Sequence, residues 1–302
     1  MPRRHDIDAR LRSLEDIGKI MRSMKNLSYM ETRKLTRFLG SQRLVVAGIE
    51  EAASDFLTHY PDLLPQAAGA HGSGALYLLI GAERGFCGNF NEAVRDGLVP
   101  ETGPVGPAPA LLIALGSRLA TLLRGDPRLV ASIPGASAAE EVPAVLSQLV
   151  PALSQLTSEQ GGRPLFVVHL DPETDQVVAD PLLPPFRSVP KDAVPAHPFP
   201  PCLNLAPEPF FAALIEHYLF AALHAVLFGS LMAEHQQRVR HLEGALQRVD
   251  SRIRELGQRR NLLRQEEITE EIELILLNLP QSEAERLLDS PARVGRADGA
   301  LR

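Results

Sequence analysis

The chain has 302 residues, a formal net charge of −6, 45% hydrophobic residues and two cysteines. This length allows one to three domains with a real core, and the composition excludes collagen-like, fully disordered and disulfide-rich proteins. The cysteines are too few for a cysteine-based zinc site, and the acidic balance gives no basic excess for nucleic-acid binding. The charged N-terminus has no apolar core of a secretory signal, so we expect a reduced, cytosolic setting.

Proline placement separates the ends of the chain from its middle. The sequence has 25 prolines, but none between Arg3 and Tyr60 and none between Phe210 and Leu279. Because a proline inside a helix costs about 3 kcal/mol, long helices are expected in these two windows. The densest run of prolines lies from Pro181 to Pro209, which predicts a linker.

The N-terminal window carries an apolar stripe at alternating spacings of four and three residues. Its members are Ile7, Leu11, Leu14, Gly18, Met21, Lys25 and Ser28. This near-helical period predicts one helix from about His5 to Phe56. At about 1.5 Å per residue the helix would be on the order of 75 Å long.

The middle of the chain alternates strand and helix patterns. Apolar runs predict strands at 75–80, 110–115, 129–133, 165–170 and 176–179, and helical patterns fall at 117–124 and 138–156. This alternation predicts a small, mostly parallel sheet in a Rossmann-like α/β domain. A glycine-rich turn, Gly81 to Asn89, follows the first strand, and the last two strands would pair through the turn at Asp171-Pro172.

The C-terminal window carries a heptad seam. Its members are Val239, Leu242, Leu246, Val249, Ile253, Leu256, Arg260 and Leu263. The phase then slips and resumes at Ile268, which predicts one helix from about Glu208 to Leu279, on the order of 100 Å long. The apolar stretch 210–233 contains Glu216, which would be expensive in a bilayer, so we expect a buried or half-buried helix of a soluble protein.

A helix of that length needs a partner, and the N-terminal helix is the only other long stripe. The predicted fold class is therefore α plus α/β, with a long antiparallel coiled coil of the N- and C-terminal helices and a central Rossmann-like α/β domain. The predicted domains are the N-terminal helix at 1–60, the α/β domain with its linker at 61–207, the C-terminal helix at 208–279 and a tail at 280–302.

Several segments match the motifs of one family in order. Ile7 to Met24 matches an opening helix, Gly81 to Asn91 a loop of the form D-R-G-L-C-G-x-x-N, and Arg264 to Ile272 the pattern R-Q-x-x-I-T-x-E-I. The stretch from Glu234 to Arg238 partly matches S-E-H-x-x-R. Together they resemble the γ subunit, the central rotor shaft, of F-type ATP synthases. Residues 240–250 match poorly, which favours a divergent member from a variant ATPase complex.

The resemblance implies a mechanical subunit with no active site of its own and no cofactor. The coiled coil would sit inside a ring of α and β subunits, with the α/β domain outside it, near the ε subunit and the c-ring. Ion-driven rotation would be coupled to ATP synthesis or hydrolysis in the β subunits. The complex would lie on the cytoplasmic face of a bacterial inner membrane.

The resemblance also assigns six residues to contacts between rotor and stator. They are Arg264, Gln265, Thr269, Arg22, Met24 and Lys25. Arg264 and Gln265 would face a catch loop on a catalytic subunit, and Arg22, Met24 and Lys25 its acidic lever, which suits basic neighbours. The alternatives are solvated side chains on a helix surface and, for Met24, packing in the coiled-coil seam.

The glycine-rich loop has two interpretations. Gly85, Cys87, Gly88 and Asn91 match the family loop, in which glycine serves backbone geometry. A nucleotide cradle is the rival interpretation, but the spacing is not G-x-G-x-x-G and the chain contains no G-K-[ST]. We expect Cys87 to be a packed residue rather than a nucleophile, because no histidine is near it in sequence.

Two other classes of protein stay open from the residues alone. A dinucleotide-dependent enzyme would use the central domain but leaves both long helices unexplained. A coiled-coil scaffold or nucleic-acid clamp would use the basic band 238–264, although aromatic residues are not interleaved with it. The glutamates at 266, 267, 270 and 271 are expected to form a solvated face rather than a metal site.

Overall fold

The computed structural model describes residues 4–63, 74–98, 110–159, 163–186 and 199–278. The predicted tail at 280–302 and residues 187–198 of the predicted linker lie outside the described residues. The chain divides into two compact units. The smaller unit combines Met1–Ile20 with Leu246–Arg302, and the larger unit is Met21–Ala245.

Two long helices, α1 (Arg4–His59) and α5 (Pro207–Asn278), confirm the helices predicted from the proline-free windows. In the smaller unit, Arg4 donates to Glu267 at 2.9 Å and Asp8 lies 3.7 Å from Arg260, so the two helices run antiparallel. Their shared apolar cluster consists of Ile7, Leu11, Leu14, Ile253, Leu256 and Leu263.

The larger unit contains the rest of both helices, again antiparallel. Lys25 lies 3.6 Å from Glu243, and the ring of Phe38 stacks on Phe228 at 5.6 Å. Near the other end of α1, Phe56 anchors an aromatic cluster with rings of both helices. The other rings in contact with it are Tyr60, Phe210 and Phe211.

The central domain is built on a five-stranded sheet. Its strands are β1 (Leu76–Ile80), β2 (Leu111–Leu115), β3 (Leu129–Ile133), β4 (Leu165–Leu170) and β5 (Val177–Leu183). Their order is β3-β2-β1-β4-β5, with the first four parallel and β5 antiparallel to β4. The prediction of a small, mostly parallel sheet is confirmed.

The last strand is longer than predicted, and the predicted linker begins too early. β5 continues through Pro181, which lies opposite Phe166 of β4. β5 pairs with β4 only, and such an edge strand tolerates a residue that has no N–H to donate. Leu182, with 4% of its surface exposed, extends the core beyond the predicted boundary.

Helices cover both faces of the sheet. One face carries α2 (Phe90–Asp96) and α3 (Ser117–Leu122), which pack beside Tyr77 and Leu79 of β1. The other face carries α4 (Val142–Glu159) together with parts of α1 and α5, which pack on Leu76 and Leu78. All five residues of β1 are buried, as expected for a strand with helices on both sides.

The apolar part of α5 supplies much of this second face. An 18-residue window of α5 has a mean hydropathy of 1.7 and is long and apolar enough to cross a membrane by length and composition. Core helices of soluble proteins also meet that criterion, although only 33% of this window is buried. Here Leu223, Leu227 and Leu231 of α5 are buried against the sheet.

Candidate functional site

The loop that leaves β1 is held by a carboxylate that collects three hydrogen bonds. Glu83 accepts from the Ser117 backbone N–H at 2.9 Å, the Ser117 hydroxyl at 2.6 Å and the Gly135 N–H at 2.7 Å. Burial favours the neutral acid, but these bonds and the charge of Arg84 outweigh it and lower the pKa of Glu83. The loop is thereby joined to the start of α3 and to the segment after β3.

Close packing against the side chains of Leu119 and Asn91 explains the glycine at the start of this loop. A Cβ at Gly81 would lie 2.3 Å from Leu119 Cβ and 2.8 Å from Asn91 Oδ1. Asn91 itself accepts the Ala82 N–H at 2.8 Å, so it organises the loop rather than pointing to solvent. Further along, Phe86 and Gly88 have φ values of 67° and 63°, and the glycine adopts this left-handed conformation without strain.

A buried ion pair of α5 faces the same loop. Arg238 pairs with Glu234 one turn earlier, and 5% and 3% of their surfaces are exposed. The Arg238 guanidinium also donates to the Gly85 carbonyl from Nε at 3.1 Å and to Cys87 Sγ from Nη2 at 3.1 Å. Burial raises the pKa of Glu234, while the Arg238 charge and the backbone amides of Glu83 and Arg84 act in the opposite direction.

Cys87 is packed into this network. It is 3% exposed, and its Sγ lies 3.3 Å from the Arg84 carbonyl. Burial, followed by the negative charge of Glu234, raises the pKa of the Cys87 thiol to about 12. The thiol therefore stays protonated at neutral pH, which disfavours a nucleophilic role.

His235 completes the buried cluster on α5. Its Nδ1 accepts a hydrogen bond from Arg238 Nη1 at 3.0 Å. Burial, and then the charge of Arg238, lowers the pKa of His235 to about 4. The ring is therefore neutral at physiological pH, with its Nδ1 lone pair turned to the guanidinium.

The turn between β4 and β5 meets the next residues of α5. Asp175, at a φ of 57°, accepts from Gln237 at 2.9 Å and from both terminal nitrogens of Arg240 at 2.7 Å. The two-pronged pairing to Arg240 has the geometry that makes arginine–carboxylate contacts directional. Successive turns of α5 thus contact the loop after β1 and the turn after β4.

The residues predicted to contact a stator are placed as follows. Arg264, Gln265 and Thr269 are exposed on consecutive turns of α5 in the smaller unit, and the Thr269 hydroxyl donates to the Gln265 carbonyl at 2.9 Å. In the larger unit, Arg22 is exposed, whereas Met24 and Lys25 are half-buried on α1. Their role as contact residues stays a prediction.

The sequence predictions did not bring Glu83, Glu234 and Arg238 together as one site. A signal was present, because Glu234 and Arg238 stand four residues apart, just after the apolar stretch of α5, and a charge pair there has to be satisfied. The contact of Glu234 and Arg238 with the loop after β1 depends on the tertiary fold. Among the described residues, no group of three or more His, Cys, Asp or Glu side chains could hold a metal ion.

Comparison with known protein families identifies one that this chain matches. A family profile described as ATP synthase matches residues 3–276. No curated protein sequence matches the chain.

Solved structures of mitochondrial ATP synthases contain similar chains. A chain of the OSCP/F1/c-ring structure from Euglena gracilis in rotational state 3 has a TM-score of 0.59 at 13% identity, covering 97% of this chain and 98% of that one. A rotor chain from the same organism in rotational state 1 has a TM-score of 0.56 at 13% identity, covering 88% and 98%. A chain of the central stalk/c-ring structure from Tetrahymena thermophila has a TM-score of 0.52 at 19% identity, covering 75% and 99%.

At these identities the structural matches show the fold alone. The family match spans both long helices and the sheet between them, and it supports the rotor interpretation rather than the dinucleotide-dependent enzyme. The chain therefore belongs to the γ-subunit family of ATP synthases.

Proposed function

We propose that the chain is the central rotor shaft, the γ subunit, of a membrane-bound F-type ATP synthase. The observation that carries the proposal is the family match over residues 3–276. The subunit has no active site of its own and couples ion-driven rotation to ATP synthesis or hydrolysis in the catalytic β subunits. Its partners are the α and β subunits of the head, the ε subunit and the c-ring, on the cytoplasmic face of a bacterial inner membrane.

The mechanism needs an asymmetric shaft. As the shaft turns, each catalytic subunit meets a different face of it, and each face favours a different nucleotide-binding state. An elementary charge crossing a membrane supplies about 2.3 kcal/mol per 100 mV, so several ions must drive each step. Two antiparallel helices packed through an apolar seam, as in the smaller unit, form an element suited to carrying that torque.

The exposed residues of α5 are the proposed contacts with the head. Arg264 offers a fork of donors to a carboxylate, and Gln265 offers both a donor and an acceptor. Thr269 lies one turn further along α5. On α1, Arg22 and Lys25 offer positive charge to an acidic lever.

Purification with partners tests the proposed function. The tagged chain is purified from its native membranes, and subunit stoichiometry is measured together with ATPase activity. We expect about three copies each of two larger nucleotide-binding subunits, arranged as a closed ring around the shaft, together with Mg-ATP hydrolysis. Recovery alone or as a homo-oligomer, without ATPase activity, contradicts the proposal.

The contact residues need a separate experiment with a matched control. The double variant Arg264→Ala with Gln265→Ala removes the proposed contact, and Gln258→Ala with Arg259→Ala removes an exposed Gln–Arg pair of the same helix. Ions pumped per ATP hydrolysed should fall in the first variant and stay unchanged in the second. Equal ratios in both variants would remove these two residues from the proposed contact.

A further inference from the structure

Open α/β sheets bind their ligands in a crevice at the carboxyl ends of the strands, where the strand order reverses. In this sheet the order reverses between β1 and β4, because the chain runs outward from β1 to β2 and β3 and then returns to β4. The segments that leave these two strand ends are the loop 81–89 and the turn 171–176.

Helix α5 crosses this end of the sheet. Leu231 packs in the cluster on the α4 face, whereas Ala233, two residues later, packs in the cluster on the α2 and α3 face. The next turns supply Glu234 and Arg238 to the loop after β1, and Gln237 and Arg240 to Asp175 after β4. One segment of α5 therefore contacts both sides of the crevice.

The contact to the β1 loop has the chemistry of an anion site. Cys87 of this loop donates from Sγ to Glu234 Oε1 at 3.8 Å, and the backbone amides of Glu83 and Arg84 favour the ionised form of the carboxylate. Successive amides in a turn are the groups that hold phosphates in nucleotide-binding folds. Arg238 neutralises the carboxylate and donates to the Gly85 carbonyl of the same loop. The crevice is thus occupied by a buried carboxylate that accepts hydrogen bonds, as an anionic ligand would.

We propose that the carboxyl-end crevice between β1 and β4 is a socket whose ligand is Glu234 of the same chain, and that this joint carries torque between the α/β domain and α5. Arg238 is the positioning residue that keeps the carboxylate in the socket. A domain whose crevice is filled in this way is attached rigidly to α5 and moves with it.

The rate at which maleimide labels Cys87 reports whether the socket is closed. In a Cys202→Ser background it is the only thiol of the full chain, and it is covered by Arg238. Arg238→Met should raise the rate of maleimide labelling on the order of 100-fold, because the remaining carboxylate is buried without its counter-charge. The control Arg252→Met breaks an exposed pair with Glu255 and should label at the wild-type rate.

A second variant separates a socket from a simple helix ion pair. In Glu234→Met with Arg238→Met the charges are gone, and a simple pair replaced by apolar side chains would protect Cys87 again. The socket predicts that labelling stays fast, because the Gly85 carbonyl and the Cys87 thiol lose their polar partners on α5. Should Arg238→Met fail to fold, Arg238→Lys keeps the charge but loses the fork and should still label faster than the wild type. Wild-type protection in Arg238→Lys or in the double variant overturns the socket.

The torque-carrying role rests on the proposed function and is tested in membranes that contain the assembled complex. Arg238→Lys should lower the number of ions pumped per ATP hydrolysed, whereas Arg252→Met should preserve it. Fast labelling together with an unchanged pumping ratio refutes the torque-carrying role. A chain that never assembles with an ATPase refutes the proposed function instead, and the labelling result still decides the socket.

Discussion

Gly116 lies at the carboxyl end of β2, close to the end of β1. A substitution at Gly116 therefore measures how much stability depends on the close approach of these two strand ends. Its φ is 106°, a conformation that other L-residues rarely adopt. A Cβ here would lie 2.6 Å from the Gly81 carbonyl oxygen and 2.9 Å from that of Ala82. These are backbone atoms at the end of β1, held by the Gly81 N–H bond to the Leu115 carbonyl at 2.8 Å. They cannot rotate away as a side chain could.

Gly125 is the matched control for Gly116. Its φ is 93°, and a Cβ there would meet no atom within 4 Å. Alanine at either position brings backbone strain of roughly 1–2 kcal/mol. Part of this cost is offset, because alanine lowers the conformational entropy of the unfolded chain and so stabilises the fold by about 0.4–1 kcal/mol. At Gly116 overpacking adds about 1–3 kcal/mol. We therefore expect Gly116→Ala to lower the free energy of unfolding by about 2–4 kcal/mol, and Gly125→Ala by about 1 kcal/mol.

The assay needs a probe beside the sheet, because the chain has no tryptophan. Labelling of Cys87 across a urea series, in the Cys202→Ser background, reports the unfolding of this region. A shift in the midpoint at an unchanged m-value gives the loss of stability. Losses for the two alanine variants that agree within about 0.5 kcal/mol would refute the reasoning, since the close approach of β1 and β2 would then have no energetic effect.

Three further predictions concern single side chains of the full chain. The pKa of Glu83 is lower in the folded than in the unfolded chain, so its ionisation stabilises the fold fully above the unfolded pKa. This stabilisation is lost as the pH falls through the pKa of the folded state. The difference in free energy of unfolding between wild type and Glu83→Gln, measured by urea denaturation, should therefore disappear in acid. Leu256→Ala should destabilise the smaller unit by about 2–5 kcal/mol, against about 0.5 kcal/mol or less for the exposed Leu262→Ala, as measured by its thermal transition. Lys25→Ala should lower the free energy of unfolding of the larger unit by less than about 1 kcal/mol in urea denaturation, because the contact of Lys25 with Glu243 at 3.6 Å is partly exposed.

The long helices could be predicted within a few residues because their signal is repeated many times. The stripe that begins at Ile7 recurs through Ser28, and its members lie on the buried side, whereas Ile20 and Leu27 beside it are 61% exposed. A heptad pattern over such a length outweighs local exceptions such as Arg260. The parallel strands were also predictable, since β1 is an apolar run buried on both faces.

Two elements could not be predicted, for different physical reasons. Helix α2 has only seven residues, of which Phe90 and Val94 are buried, and two positions do not establish a helical period. The end of β5 depends on its partner, because Pro181 reads locally as a linker and becomes a strand residue only by pairing beside Phe166 at the sheet edge.

The candidate site shows the same division between local and tertiary information. Gly85, Cys87 and Gly88 were identified from the loop, but their neighbour Arg238 lies about 150 positions away in the sequence. Sequence spacing could place Glu234 and Arg238 on one face of a helix. It could not show that this face is directed at the end of β1, which follows from where α5 crosses the sheet.

The close packing around the ends of β1 and β2 gives a physical reason for the glycine pattern. In a dinucleotide-binding loop, glycines let the backbone approach a pyrophosphate. Here Gly81 makes room for Leu119 and Gly116 makes room for the Gly81 carbonyl, so these glycines serve contacts within the protein. With Glu234 in the proposed place of the anion, the loop has no need of the spacing G-x-G-x-x-G.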